Sequence, residues 1–439
     1  MNSATKHAGQ SGHAGRTAHA ENIDHDAVLR ARTALLGSGR LSRRQEADAC
    51  RTLSVVSPLA YLPRLVRALL SLSYELGAHP QACLSVCAEA VEAARRLDGM
   101  EPGRRAEPLV DALDAYQRQL YVLGRRAEGL SAREEMALAG RRAFETGQVE
   151  SPVYGLGPMA TALAEEGRHR EAAELCGRIV AAARQEGSGR GPSFWDMVEW
   201  AAELDAAGRH EAALDAFGEL VSTSRREVED GRTSLANLLW ELVRFAEMLD
   251  SRGRSADARA ARREAGELFT ELAASGERKS WSSILAWWRI LLGLSGRVHE
   301  QAQPGETELP FGSDTLGWSP GLWAAYVEGR AGLEAVAASL APLAAADPGN
   351  YLEELVTVHR RLTIRSVFYW ERRTHRILEP LRPLFDEGVA LARRLAEADE
   401  DKGRAVLTRA LTDRSTLFVA AKRYAEARDD FAEATGLRG

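Results

Sequence analysis

A glycine recurs along this chain at Gly77, Gly124, Gly167, Gly208, Gly253 and Gly296, at intervals of 47, 43, 41, 45 and 43 residues, and the residues around it keep a register. Eleven places before the glycines stand Leu113, Leu156, Met197, Leu242 and Leu285; eight before, Tyr116, Met159, Trp200, Phe245 and Trp288; four before, Leu120, Leu163, Leu204, Leu249 and Leu292. Five places after come the small residues Ala82, Ala172, Ala213 and Ala258, and a related turn at Lys422-Arg423-Tyr424 keeps Leu411, Phe418 and Ala427 in the same places. Spacings of three and four put these side chains on one helix face, and the glycine ends that helix. In the clearest unit, Pro192 to Leu220, Met197, Trp200, Ala201 and Leu204 line a first helix, Gly208-Arg209 breaks it, and Ala213, Phe217 and Leu220 line a second. The small Ala213 lets the two approach closely. A period of this length predicts an all-α stack of helix pairs, each burying its apolar face against its neighbours.

The large-small pairs Trp200-Ala201, Met159-Ala160 and Phe245-Ala246, with the small residue after each turn, resemble the tetratricopeptide repeats. Lys422 to Ala427, followed by Phe431 and Ala434, is the closest unit, and Asp347-Pro348-Gly349-Asn350 is similar to the family's repeat-ending turn. The resemblance covers roughly residues 60–300 and 403–437, with a period longer than the family's, and Gln117, Gly129 and Arg289 break its pattern. It implies a right-handed α-solenoid of antiparallel helix pairs that binds a protein or peptide on its concave face, without catalysis. Mapped onto that arrangement, Tyr154, Trp195 and Trp240 share one position and form an aromatic row. Arg118, Tyr121, Glu199, Arg244, Glu247 and Trp287 are the concave-face residues around it, and aromatic and arginine side chains are the usual anchors of binding surfaces.

Composition agrees with a helical globular chain: 45% apolar, 27% charged, and 15 prolines in 439 residues. A net charge of −6 argues against a nucleic-acid surface, which needs concentrated basic charge. Lysine occurs only as Lys6, Lys279, Lys402 and Lys422, so arginine carries the positive charge, a bias expected of a GC-rich bacterial genome. Four cysteines are too few for a disulfide framework, no signal peptide opens the chain, and no apolar run is long enough to cross a membrane; a cytoplasmic protein is expected.

Residues 1–25 are polar and without apolar period, and are expected to be a disordered tail; its spaced His7, His13, His19 and His25 have no element to gather them on a metal. Repeats are expected over 26–300, a loop rich in Pro and Gly over 301–321, and further degenerate repeats over 322–439 whose last pair caps the array. The apolar Leu309, Phe311, Leu316 and Trp318 suit a loop that packs against something, the array's own groove being one place, but a bland insertion is the simpler reading. On that reading Trp200→Ala destabilises far more than Trp318→Ala.

No catalytic, cofactor or metal set stands out. His210-Glu211 and His299-Glu300 begin like a zinc-protease helix, but Leu214 and Gln303 stand where the second histidine is needed. Cys83 and Cys87 share a helix face and are expected to be buried thiols. Gly187 to Gly191 lacks the Lys-Ser/Thr of a phosphate loop. Two further functions stay open: a regulatory module that senses a peptide or metabolite, and an enzyme with its site near the 301–321 loop.

Overall fold

The structure is a computed structural model that describes residues 24–37, 41–101, 106–185, 191–279, 284–300, 302, 306–371 and 376–438. The tail expected to be disordered therefore lies outside the described residues up to position 23, as does the glycine-rich loop at 186–190. Among the described residues the chain is all helical. The helices of its first half are α1 (His25–Leu36), α2 (Arg43–Val56), α3 (Pro58–Glu75), α4 (Pro80–Met100), α5 (Glu107–Val122), α6 (Arg126–Glu145), α7 (Gly157–Glu165), α8 (His169–Gln185), α9 (Phe194–Ala206) and α10 (His210–Glu229). There follow α11 (Leu235–Ser251), α12 (Ser255–Ser275), α13 (Ile284–Gly296), α14 (Pro320–Glu328), α15 (Arg330–Ala346), α16 (Pro348–Glu371), α17 (Leu378–Ala398), α18 (Glu400–Ala420) and α19 (Tyr424–Gly436).

Four of the recurring glycines do what the register requires. Gly124, Gly167, Gly208 and Gly253 have φ of 73°, 69°, 76° and 73°. After each, the next amide donates back to the leucine four places before the glycine: Arg125 to Leu120 at 2.8 Å, Arg168 to Leu163 at 2.8 Å, Arg209 to Leu204 at 2.9 Å and Arg254 to Leu249 at 3.0 Å. With the glycine N–H bonded three residues back, this closes off the last carbonyls of the helix. Lys422, at φ 59°, makes the same turn before α19, with Arg423 donating to Phe418 at 2.7 Å. Gly296 is conserved in the register for another reason than a turn: a Cβ there would stand 2.5 Å from Ile364, so it lets α13 and α16 touch.

The residues that break the repeat pattern belong to a second kind of packing. Gln117, buried, accepts from Arg133 at 2.9 Å; Arg133 lies 4.2 Å under the Tyr121 ring, and that ring sits where a side chain on Gly129 would be. Arg289, also buried, donates to Thr315 at 3.0 Å and so holds the insertion.

From α1 to α12 each helix packs on the next, as a repeat array requires, and α15 to α19 do so again. The order of packing departs from the order of sequence in several places, α13 packing on α11 and α16 for example, and two of them shape the middle of the chain. First, α12 is followed in space by α19, and α11 touches α18; Phe269 stacks on Phe431 at 4.5 Å, and Trp240 and Trp288 both donate to Thr416, at 3.3 and 2.9 Å. The terminal pair α18–α19 is thus not an end cap. Its apolar face, made by the same register as the other units, is buried against the middle of the chain.

Second, the insertion is part of the core. Trp318 and Phe311 are each 3% exposed and cluster with Tyr326 and Phe368 at centroid separations of 5.3–6.1 Å. Residues 306–319 cross α7 and α9, where the Glu308 amide donates to the Glu165 carbonyl at 2.9 Å and the buried Glu165 carboxylate accepts from the Ser319 amide at 2.8 Å and hydroxyl at 2.5 Å. A Cβ on Gly312 would come within 2.5 Å of Ala202, a measure of how closely the strap lies on α9. Of the two readings of this loop, packing on the array is the one observed, and the bland insertion is set aside.

Candidate ligand-binding cleft

The docking of α18–α19 leaves a cleft of about 2030 Å³ between them and α9 to α13. Behind its surface lie the buried Val198, Ala201 and Ala202 of α9, Leu214 and Phe217 of α10 and Leu294 of α13, with the partly exposed Met248 of α11 and Val298, 62% exposed, at the lining. The charge of the lining is mostly cationic. Arg244, Arg252, Arg259, Arg262 and Arg263 come from α11, α12 and the turn between them, Arg404, Arg409, Arg428 and Arg438 from α18, α19 and the residues after it, and Arg297 from the short turn after α13.

Against these ten arginines the lining holds five carboxylates, Asp205, Glu247, Asp250, Glu308 and Asp401. Asp205 accepts from Arg252 at 2.9 Å and from His210 at 2.8 Å, and Glu247 from Arg244 at 3.1 Å. Asp250 is shared by Arg262 and Arg438 through a single oxygen, Oδ2. Arg438 is held below the usual arginine range by burial and then by Arg262, with Arg409 adding to it, against the pull of Asp250 and Glu247. Among the described residues, Arg263 and Arg409, both exposed, pair with no carboxylate, and Arg259 and Arg297 bond only to the carbonyls of Ser255 and Ala202. The cleft therefore carries surplus positive charge in a chain whose overall charge is negative, and guanidinium groups in that state bind carboxylate or phosphate oxygens by charge-assisted hydrogen bonds.

At the edge shared with the insertion, His169 bridges Glu203 at 2.7 Å and Glu308 at 2.8 Å. Burial works against its charged form, but the two carboxylates outweigh it and the pKa is raised.

The nine residues expected on a concave face do not form one surface. Arg244 and Glu247 line the cleft. Trp240 is 2% exposed and its indole is spent on Thr416, so it is core and cannot meet a partner; the three-aromatic row is corrected on that ground. Tyr154 lies in the turn before α7, where burial, then Asp111 and Glu107, push its hydroxyl up to about 12. Trp195 and Trp287 do meet, at 5.8 Å, around Phe194, which stacks on Trp287 at 3.7 Å. Tyr121 is buried between Arg126 and Arg133. Arg118 is exposed and pairs with Asp114 at 2.8 Å. Glu199 is covered by the strap: its carboxylate accepts from Ser313 at 2.5 Å, and burial, with Glu203 and Asp196 adding, raises it to about 7.

The arginines of α12, α18 and α19 were absent from the expected site. Their charges are plain in the sequence, but nothing local says that α19 stacks on α12. Among the described residues no three His, Cys, Asp or Glu side chains gather to hold a metal, and no helix is long and apolar enough to cross a membrane. Comparison with protein families and with curated proteins finds no match to this chain.

Proposed function

We propose that the chain is a non-enzymatic binding module, a right-handed solenoid of antiparallel helix pairs of the tetratricopeptide kind, bacterial in origin, which receives a protein or peptide in the arginine-lined cleft. The observation that carries this is the cleft itself: ten arginines against five carboxylates in the lining of about 2030 Å³. That volume exceeds the roughly 300–1,000 Å³ usual for small-molecule sites and suits a polypeptide segment. The four buried, unpaired cysteines support a reducing, cytoplasmic setting.

A peptide-display selection on the immobilised full-length protein tests the reading. Ala405 and Ala432 line the cleft from exposed positions on α18 and α19, so Ala405→Trp and Ala432→Trp each place an indole in it without touching the core. Enriched peptides are expected to bind the parent protein and to lose tenfold or more in affinity on both filled variants. Enrichment that ignores the filling, or no enrichment at all, overturns the proposal.

One contact favours regulation as an addition to this reading. Glu308 belongs both to the cleft lining and to the strap, so a ligand that draws Glu308 from His169 alters how the strap sits.

A further inference from the structure

We propose that His169 is a proton-operated clasp: with both ring nitrogens protonated it pins the leading end of the strap, residues 306–309, to α8 and α9, and on losing one proton it lets that end go. The two bonds set the count. Nδ1 meets Glu203 Oε2 at 2.7 Å and Nε2 meets Glu308 Oε2 at 2.8 Å. A carboxylate accepts and does not donate, and a neutral imidazole carries a single N–H, so a ring between two carboxylates makes both bonds as the imidazolium. Without that second proton one nitrogen turns a lone pair on a carboxylate.

Which bond breaks follows from burial. The Glu203 side chain, on α9, is 1% exposed, and that of Glu308, on the strap, is 38% exposed. A buried carboxylate left without a donor costs far more than one that water can reach. The remaining N–H therefore stays on Glu203, and Glu308 is released. Behind it the strap is fixed: Phe311 and Trp318 are buried, Ser313 bonds to Glu199, and Ser319 bonds to Glu165. Ahead of Pro310, Glu308 fastens the strap twice, through its amide on the Glu165 carbonyl and through this clasp. Release is thus confined to the end that borders the cleft. His169 and Glu308 both line the cleft, so opening removes one positive charge from the lining and frees one carboxylate from its partner. The clasp works in the empty protein and does not rest on what the cleft receives.

The charges around the ring give the direction. Burial and Arg297, from the turn after α13, oppose the imidazolium; Glu203 from α9 and Glu308 from the strap favour it and prevail, so the ring keeps its proton to a higher pH than an ordinary histidine. One turn before Glu203 on α9, Glu199 is raised to about 7, first by burial; as it ionises it adds negative charge on the Glu203 side and favours the closed clasp. Of the other charges on these elements, Glu165 and Glu166 of α7 pair with Arg126, Arg168 with Glu171, and Asp205 with His210 and Arg252. The clasp is closed in mild acid and opens in alkali.

A nitroxide on Thr307→Cys, beside the clasp, reports the motion of this end by electron paramagnetic resonance in the full-length, ligand-free protein; the four native cysteines are buried and stay unlabelled. The label is expected to be held at about pH 6 and to tumble at least twofold faster at about pH 9, with a midpoint above the ordinary histidine value of about 6.5. In His169→Gln, whose side chain does not titrate, it is expected to move alike at both. In Glu308→Gln the amide offers an acceptor to the imidazolium and a donor to the neutral ring, so the label is expected to stay held at both. Glu199→Gln is expected to keep a transition. An unchanged circular dichroism spectrum and melting midpoint at about pH 6 check folding, and Glu308→Gln, at a partly exposed side chain, decides the question if His169→Gln fails to fold. A parent protein whose label moves alike at the two pH values overturns the inference. So does a transition that survives in His169→Gln or Glu308→Gln, and so does one that Glu199→Gln alone abolishes, which places the proton on Glu199.

Discussion

Glu241 is fully buried on α11, where its Oε1 accepts from Trp287 at 3.2 Å. Burial raises it to about 8, against the hydrogen bonds of Ser224 and Trp287, which lower it. A carboxyl raised on folding holds a proton that the unfolded chain has released, so its contribution to stability is complete below the ordinary carboxyl range and is lost as pH rises through about 8. Glu241→Gln keeps the neutral shape and removes that loss. Its melting midpoint is expected to match the parent at about pH 5 and to exceed it by a few degrees at about pH 9. Melts followed by circular dichroism at the two pH values check this, and a parent and variant that respond alike to pH place the proton elsewhere.

At the scale of elements, the strap reverses an order of stability that the repeat pattern suggests. Trp200 is partly exposed and lies over Gly177 of α8, whereas Trp318 is buried among Phe311, Tyr326 and Phe368 and donates to Ser313 at 3.2 Å. Trp318→Ala is therefore expected to cost about 3–5 kcal/mol and Trp200→Ala clearly less, measured by chemical denaturation. A smaller loss at Trp318 would mean that the strap does not seal the core.

The helix pairs were legible because their signals are local: a glycine that accepts positive φ, a leucine carbonyl four residues before it, a face at helical spacing. The strap was not, because its anchors Glu165, Glu199 and Arg289 bond to residues 26 to 154 positions away and leave no period behind. The cleft was half legible for the same reason. Arg244 and Glu247 came from the register; Arg262 and Arg438 meet at Asp250 only through the stacking of α19 on α12.

For the whole molecule, that stacking makes the ends of a long excursion dependent on each other. Removing residues 400–439 is expected to uncover Trp240, Trp288 and Phe269, to lower the melting midpoint by many degrees and to raise binding of a hydrophobic dye, while removing α1 alone does neither. A truncated chain that melts like the parent would show that α18–α19 only decorate the array.

The chain is also built in time. Ser275 closes α12 and Phe431 lies in α19, so roughly 155 residues must be made after the first docking face before the second is complete. At about 5–20 residues per second, Trp240 and Phe269 wait on the ribosome for roughly 8–31 s without the helices that cover them. Chaperones that hold apolar surface act in that interval, and a message that slows between these two points lengthens it.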